Sequence, residues 1–403
     1  MASKFGGAVS SSSSKSDSDN SAITGLTTVP ASTAISVVTK PFHAFGVRGP
    51  LRDNVDYLSE SRLIFPVGKR VCTYVIEKKK TEFIELHPDV LQVIGMTVAP
   101  NRKRVAFCEL SSAEGGTGAN SAASAIGEGK SNKEGKEAKE SREGREGKEG
   151  KISPRGQINP NGFKSQVSVY HALQGVHLRT LSFPGMKGSF TNCCFTADNK
   201  FLVAIGSAPD CKLVYWKWSN MKMIGSVSMA SEATRIRVNP NNSSQLTTTG
   251  PNHAKLWTLE KDLSLKCSSL LPQKKEKSEI FVDHAWTKMG TGSNGQEGGF
   301  ILVATEKGNV LVLQLNPEGH CEIRQTIHLF AASHHKHHHQ KIETIQSSAK
   351  GFVVGGTCGY FAVYEQTDDQ KDPFLPIRAF ETGKHDSVTT VGKELLFCCC
   401  WWW

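Results

Sequence analysis

Between Ser189 and Met229 short apolar bursts alternate with turn-forming residues. Thr191 to Phe195 reads as a strand, Asp198-Asn199 as a turn, and Phe201 to Ile205 as a second, continuously apolar strand. Pro209-Asp210-Cys211 is the next turn, followed by strands over Leu213 to Trp218 and Met223 to Met229. Four short strands joined by tight turns within about 40 residues make one blade of a WD-type β-propeller.

The same plan recurs along the chain, and its clearest marker is the hydrophobic anchor that ends the third strand of each blade: Tyr74, Tyr170, Trp216, Trp257, Leu313 and Tyr364. From Tyr170 onward the anchors lie about 40 to 55 residues apart, the length of one blade. The interval from Tyr74 to Tyr170 is about twice that. Its excess is the stretch Ser112 to Ser165, where the composition turns to Gly, Ser, Lys and Glu. Set aside that stretch and the period is kept. The pattern predicts an all-β, WD40-type propeller over residues 42–397, with six recognisable blades near 42–93, 94–185, 186–230, 231–275, 276–330 and 331–380. A seventh begins at Ser387 to Val391 and Leu395 to Phe397. It then breaks into the anomalous tail Cys398-Cys399-Cys400-Trp401-Trp402-Trp403, so the ring is expected to be incomplete.

Three segments fall outside the strand pattern. Residues 1–41 are rich in Ser, Thr and Ala, with serines at every position from Ser10 to Ser14, and are expected to be a disordered leader. Within the insertion at 112–165, Lys133 to Lys151 repeats a basic-acidic-small triplet whose charges nearly cancel, which predicts a solvated loop. The histidines His334, His335, His337, His338 and His339 form a third low-complexity stretch. Imidazoles at that density capture stray divalent metal, but a loop lacks the fixed geometry of a metal site, and loop composition explains them.

Composition narrows the function classes. The 403 residues carry 48 Lys and Arg against 38 Asp and Glu, a net charge of +10. Basic patches at Lys78-Lys79-Lys80, Arg102-Lys103-Arg104 and Lys274-Lys275 with Lys277 would attract polyanions, yet each reads as a solvated hairpin tip or strand end. The eleven cysteines form no C-x-x-C pair and read as small buried apolar residues, with no disulfide frame and no metal. The longest apolar run, Leu395 to Trp403, is about half the length of a membrane span, and the start of the chain lacks a signal-peptide core, so a cytoplasmic chain without membrane contact is expected.

No catalytic constellation emerges. Gly290-Thr291-Gly292-Ser293-Asn294-Gly295 has glycine spacing like that of a nucleotide loop, but the strand Phe300 to Thr305 follows where a helix would have to stand. Asp283 and His284 are neighbours, so on a strand they point to opposite faces. The expectation is no enzyme, no catalytic residue, and no cofactor- or metal-binding residue, with no polar set standing out around a central channel. Asp210 is the one acidic residue six positions before a third-strand Trp, where WD repeats place an Asp that braces the blade. The other blades carry Gly68, Lys164, Pro251, Lys307 and Cys358 there, and no Gly-His pair precedes Asp210. Asp210 is therefore expected to be structural, and the blades to be held mainly by apolar packing.

Several runs resemble a known family. His43 to Arg48 (HAFGVR), Leu63 to Tyr74 (LIFPVGKRVCTY), Pro100 to Ala106 (PNRKRVA), Phe195 to Trp218 (FTADNKFLVAIGSAPDCKLVYWKW) and Val238 to Gly250 (VNPNNSSQLTTTG) resemble, in order, the first propeller of the cilia- and flagella-associated protein 57 family of axonemal WD-repeat proteins. The resemblance covers about Phe42 to Phe380. It implies a non-enzymatic scaffold lying along doublet microtubules of the cilium or flagellum that seats or regulates inner dynein arms, with proteins rather than nucleic acid as partners. The family's second propeller and coiled coils have no counterpart here. The other class weighed is a cytoplasmic or nuclear propeller serving a ribonucleoprotein, which the positive charge would suit.

Overall fold

The computed structural model describes residues 51, 53–112, 162–272, 279–288, 299–316, 319–330, 340–369 and 371–380. The leader 1–41, the bulk of the charged insertion, the glycine loop 290–295, the histidine run 334–339 and the tail 398–403 lie outside them. The described chain forms six four-stranded antiparallel sheets, consecutive in sequence. The first holds β1 (Asp56–Ser59), β2 (Arg62–Val67), β3 (Arg70–Val75) and β4 (Lys80–Ile84). The second holds β5 (Val90–Val98), β6 (Arg104–Ser112), β7 (Phe163–His171) and β8 (His177–Leu181). The third holds β9 (Phe190–Phe195), β10 (Leu202–Gly206), β11 (Lys212–Lys217) and β12 (Lys222–Ser228). The fourth holds β13 (Arg235–Val238), β14 (Gln245–Gly250), β15 (His253–Leu259) and β16 (Leu265–Ser269). The fifth holds β17 (Phe281–Trp286), β18 (Phe300–Thr305), β19 (Asn309–Leu315) and β20 (Cys321–His328). The sixth holds β21 (Ile342–Ser347), β22 (Gly351–Gly356), β23 (Phe361–Gln366) and β24 (Phe374–Phe380). Each sheet is an up-and-down meander, and this is a six-bladed WD-type propeller arrangement.

Strand alternation builds the seams between blades. On β6, Phe107 joins Ile64 and Val71 of the first sheet, whereas Ala106 and Cys108 face Phe190 and Trp216 of the third. Further seams put Val203 and Tyr215 against Ile236 and Trp257, Leu256 against Phe281 and Leu313, and Val312 against Phe352. Phe190 and Trp216 meet edge-to-face with centroids 5.5 Å apart. Such a pair adds about 0.5–1.5 kcal/mol beyond the area it buries. Among the described residues no apolar cluster joins the sixth sheet to the first; Val353, Phe361 and Val363 form a small cluster on the sixth sheet's other face.

Three boundaries differ from the sequence expectation. The 93/94 division falls inside β5, which continues through Gly95, where a Cβ would stand 2.8 Å from the Thr191 carbonyl of the next blade. That glycine permits close approach of blades rather than ending a strand. Ser112 ends β6 and pairs with Phe163 of β7, so both ends of the charged insertion belong to the sheet. Trp218 lies in a 3-10 turn over Trp218–Asn220 and not in β11. There its indole N–H can reach the Asn199 carbonyl at 2.9 Å.

Candidate functional site

Each anchor stands on the third strand of its sheet opposite an apolar residue of the second. The pairs are Leu63↔Tyr74, Val105↔Tyr170, Leu202↔Trp216, Leu246↔Trp257, Ile301↔Leu313 and Phe352↔Tyr364. Tyr74 is half-buried and the other five are buried. Phe352 and Tyr364 stack with their rings nearly parallel, 4.8 Å apart. The anchors are spread over six sheets and form no common pocket; they organise packing.

Asp210 stands in the turn between β10 and β11. Its Oδ2 accepts the backbone N–H groups of Lys187 and Gly188 at 2.7 and 2.6 Å, clasping the loop that leads from β8 into β9. Gly188 is required there, since a Cβ would stand 2.8 Å from the Ser207 carbonyl. The fourth blade has a brace that the sequence pattern concealed. Trp257 Nε1 donates to Thr248 Oγ1 at 2.8 Å, Thr248 Oγ1 lies 2.8 Å from His253 Nε2, and His253 Nδ1 lies 2.9 Å from Ser231 Oγ. The histidine sits after the turn between second and third strands instead of in the loop upstream of the blade. Ser231 and His253 have the reach of a nucleophile and its base, and the ring's other nitrogen meets the Thr248 hydroxyl.

Polar residues do line the innermost strands, a correction to the expectation that none stands out. The first strand of each sheet packs against the first strands of its neighbours, which places β13 and β17 innermost. Arg235 and Arg237 share one face of β13. Arg237 grips Asp53 through both nitrogens at 2.9 Å, Arg235 Nη1 meets Asp53 Oδ2 at 2.8 Å, and Arg235 Nε lies 3.1 Å from Asp283 Oδ1 on β17. Asp283 Oδ2 also accepts from Thr344 Oγ1 at 3.1 Å and Ile345 N–H at 3.2 Å on β21. Arg235 and Asp283 are fully buried. Burial works against the Arg237 cation, yet the carboxylates of Asp53 and Asp283 outweigh it and hold the guanidinium above its usual range. Two cations against two carboxylates leave no net charge for an ionic ligand, so the cluster ties sheets together.

Asp283 and His284 point apart, as neighbours on a strand must. His284 Nδ1 lies 2.7 Å from Thr249 Oγ1, and burial, with help from Arg237, pushes its pKa down to about 3, so it stays neutral. Trp286 Nε1 reaches Thr247 Oγ1 at 2.8 Å across the same seam. A further buried acid, Glu109, follows Val105 and Phe107 on the face of β6 that meets the first sheet; it accepts from Ser168, from Gln166 at 3.3 Å and from Tyr170 at 3.4 Å. Burial raises its pKa and these donors lower it only in part. Among the described residues no group of three or more His, Cys, Asp and Glu side chains could hold a metal, and no helix is long and apolar enough to cross a membrane.

No family model matches the chain. Among curated proteins it is 24% identical over 282 residues to cilia- and flagella-associated protein 57 of Mus musculus, which is 69% of this chain and 18% of that protein. It is 25% identical over 76 residues to cilia- and flagella-associated protein 44 of Mus musculus, 19% of this chain and 4% of that protein. The chain thus matches less than a fifth of the length of either relative. Over those 282 residues the chain is similar to the protein whose family its motifs resemble. Among solved structures, the β-propeller domain of Myceliophteria thermophila Cps50 (Swd1) is 13% identical, covering 56% of this chain and 70% of that one with a TM-score of 0.40. The structure of U3-55K is 8% identical, covering 86% of both chains with a TM-score of 0.49.

Proposed function

We propose that the chain is a non-enzymatic scaffold of the ciliary or flagellar axoneme, whose propeller holds proteins that seat or regulate inner dynein arms on doublet microtubules. The observation that carries this reading is the similarity to two cilia- and flagella-associated proteins, one of them along 69% of the chain. The chemistry is consistent with it. Among the described residues Asp210, Asp283, Glu109 and His253 are each engaged in hydrogen bonds within or between blades. On this reading the partners are axonemal proteins and the location is the axonemal cytoskeleton. The direct test is to express the tagged chain in a ciliated cell and extract with detergent. Retention on the axoneme, reversed by competition with excess untagged chain, supports the scaffold reading; complete loss into the soluble fraction, with the tagged relative retained in parallel, sinks it.

A further inference from the structure

At the end of the sheets where first strand turns into second and third into fourth, the turns of the second, third and fourth blades are stitched together. Asn101 N–H donates to Asn199 Oδ1 and Asp198 N–H to Ser243 Oγ, both at 3.1 Å. Arg179 Nε donates to the Ser219 carbonyl at 3.1 Å. Trp218 lies beneath the Arg104 guanidinium, 4.7 Å from ring centre to Cζ. These bonds fix the turns relative to one another, so they present one surface and not separate loop tips.

That surface is apolar and basic at once. Leu173, Val176, Met221, Met223 and Leu263 are each between 45% and 55% exposed. Met221 and Leu263 sit at the turn tips with φ of 58° and 69°, a region that Gly or Asn occupies with less strain. Turn stability therefore does not account for a long apolar side chain at either tip, whereas contact with another molecule does. Around them stand the exposed lysines Lys103, Lys200, Lys217 and Lys222. Lys200 meets Asp198 at 3.7 Å, but among the described residues no carboxylate pairs with Lys103, Lys217 or Lys222. From Phe163 to Ala230 the only acidic residues are Asp198 and Asp210, and Asp210 serves the turns at the opposite end of the sheet. The Leu263 turn adds the exposed Glu260 and Asp262 against Lys261, so the excess of positive charge is centred on the third-blade turn around Met221 and Met223.

We propose that this surface docks an acidic, amphipathic protein segment, its carboxylates meeting Lys217 and Lys222 and its apolar side chains covering Met221, Met223 and Leu263. Nucleic acid fits less well, because bases stack on aromatic rings and the exposed apolar groups here are aliphatic. A bilayer also fits less well: in Met221-Lys222-Met223 the lysine alternates with the methionines instead of forming a separate charged face. The inference does not depend on the axonemal reading, since it concerns the chemistry of the partner and not its location.

The test uses the full chain and a fluorescein-labelled 18-residue peptide of Glu with Leu at every third or fourth position, followed by fluorescence anisotropy. Binding is expected to weaken as salt rises, and Lys217→Glu with Lys222→Glu should reduce affinity at least about tenfold. The milder pair Lys217→Gln and Lys222→Gln gives the same direction should the reversal misfold. Met221→Ser with Leu263→Ser should also weaken binding, at unchanged circular dichroism, and Lys187→Glu at the opposite end of the sheets should leave it as it was. Three results would overturn the proposal: no binding of the peptide at low salt, equal binding by the variants, or tighter binding of poly-uridine RNA or phosphatidylserine vesicles through the same lysines.

Discussion

Glu109 holds three hydrogen-bond donors, in a row whose other members are Val105 and Phe107. Its carboxyl is raised by burial above the unfolded value near about 4.3. The native state therefore holds its proton to higher pH than the unfolded chain does. The resulting stability is fully present below the unfolded value and is lost as pH rises through the folded one. Glu109→Gln keeps the shape and an acceptor for Ser168 and Tyr170 without the charge. We expect it to be more stable than the parent at pH 7–8 by about 1–2 kcal/mol, and to lose that advantage near pH 4. Thermal melts of both proteins at the two pH values decide this; an advantage equal at both would show that ionisation of Glu109 is not the cause.

At the scale of elements, the hairpin of β6 and β7 carries the long charged segment at a single point, because Ser112 and Phe163 are direct cross-strand partners. Joining them by Asn-Gly in place of residues 113–162 suits a two-residue hairpin, and loop closure then costs less than it does for the long segment. The shortened protein is expected to melt at or slightly above the parent's temperature; a loss of more than about 5 °C would show that the segment packs on the propeller. The strands themselves were legible from the sequence because the apolar run at Phe201 to Ile205 and the turn at Asp198-Asn199 signal locally. What was not legible depends on distance along the chain. The Arg235-Ile236-Arg237 alternation looks like the solvent side of a strand, and only the knowledge that β13 is innermost shows that it has no such side. Its partner Asp53 lies 182 residues away from Arg235, so no local pattern announces it. Likewise the fourth-blade brace was hidden by a histidine that occupies a different corner of the blade.

For the whole molecule, among the described residues five apolar seams link neighbouring sheets, while Asp53, ahead of the first sheet, is tied to Arg235 and Arg237 of the fourth, which also meet Asp283 of the fifth. Removing one charge from this cluster leaves another buried without its counterpart. Asp283→Asn is expected to cost about 3–5 kcal/mol in denaturant unfolding, and Asp283→Leu with Arg235→Met to recover most of that loss, since an apolar pair of similar volume avoids the desolvation penalty. A double variant as unstable as the single would mean that the hydrogen bonds to Thr344 and Ile345, and not the ion pair, carry the effect. The tie from Asp53 to the fourth sheet also works as a counter. A propeller can lengthen or shorten by copying or dropping a whole repeat, but any such change between the first sheet and the fourth would carry both arginines one position around and out of reach of Asp53. A repeat gained or lost between the first sheet and the fourth is therefore expected to break the tie to Asp53 and leave the arginines to Asp283 alone.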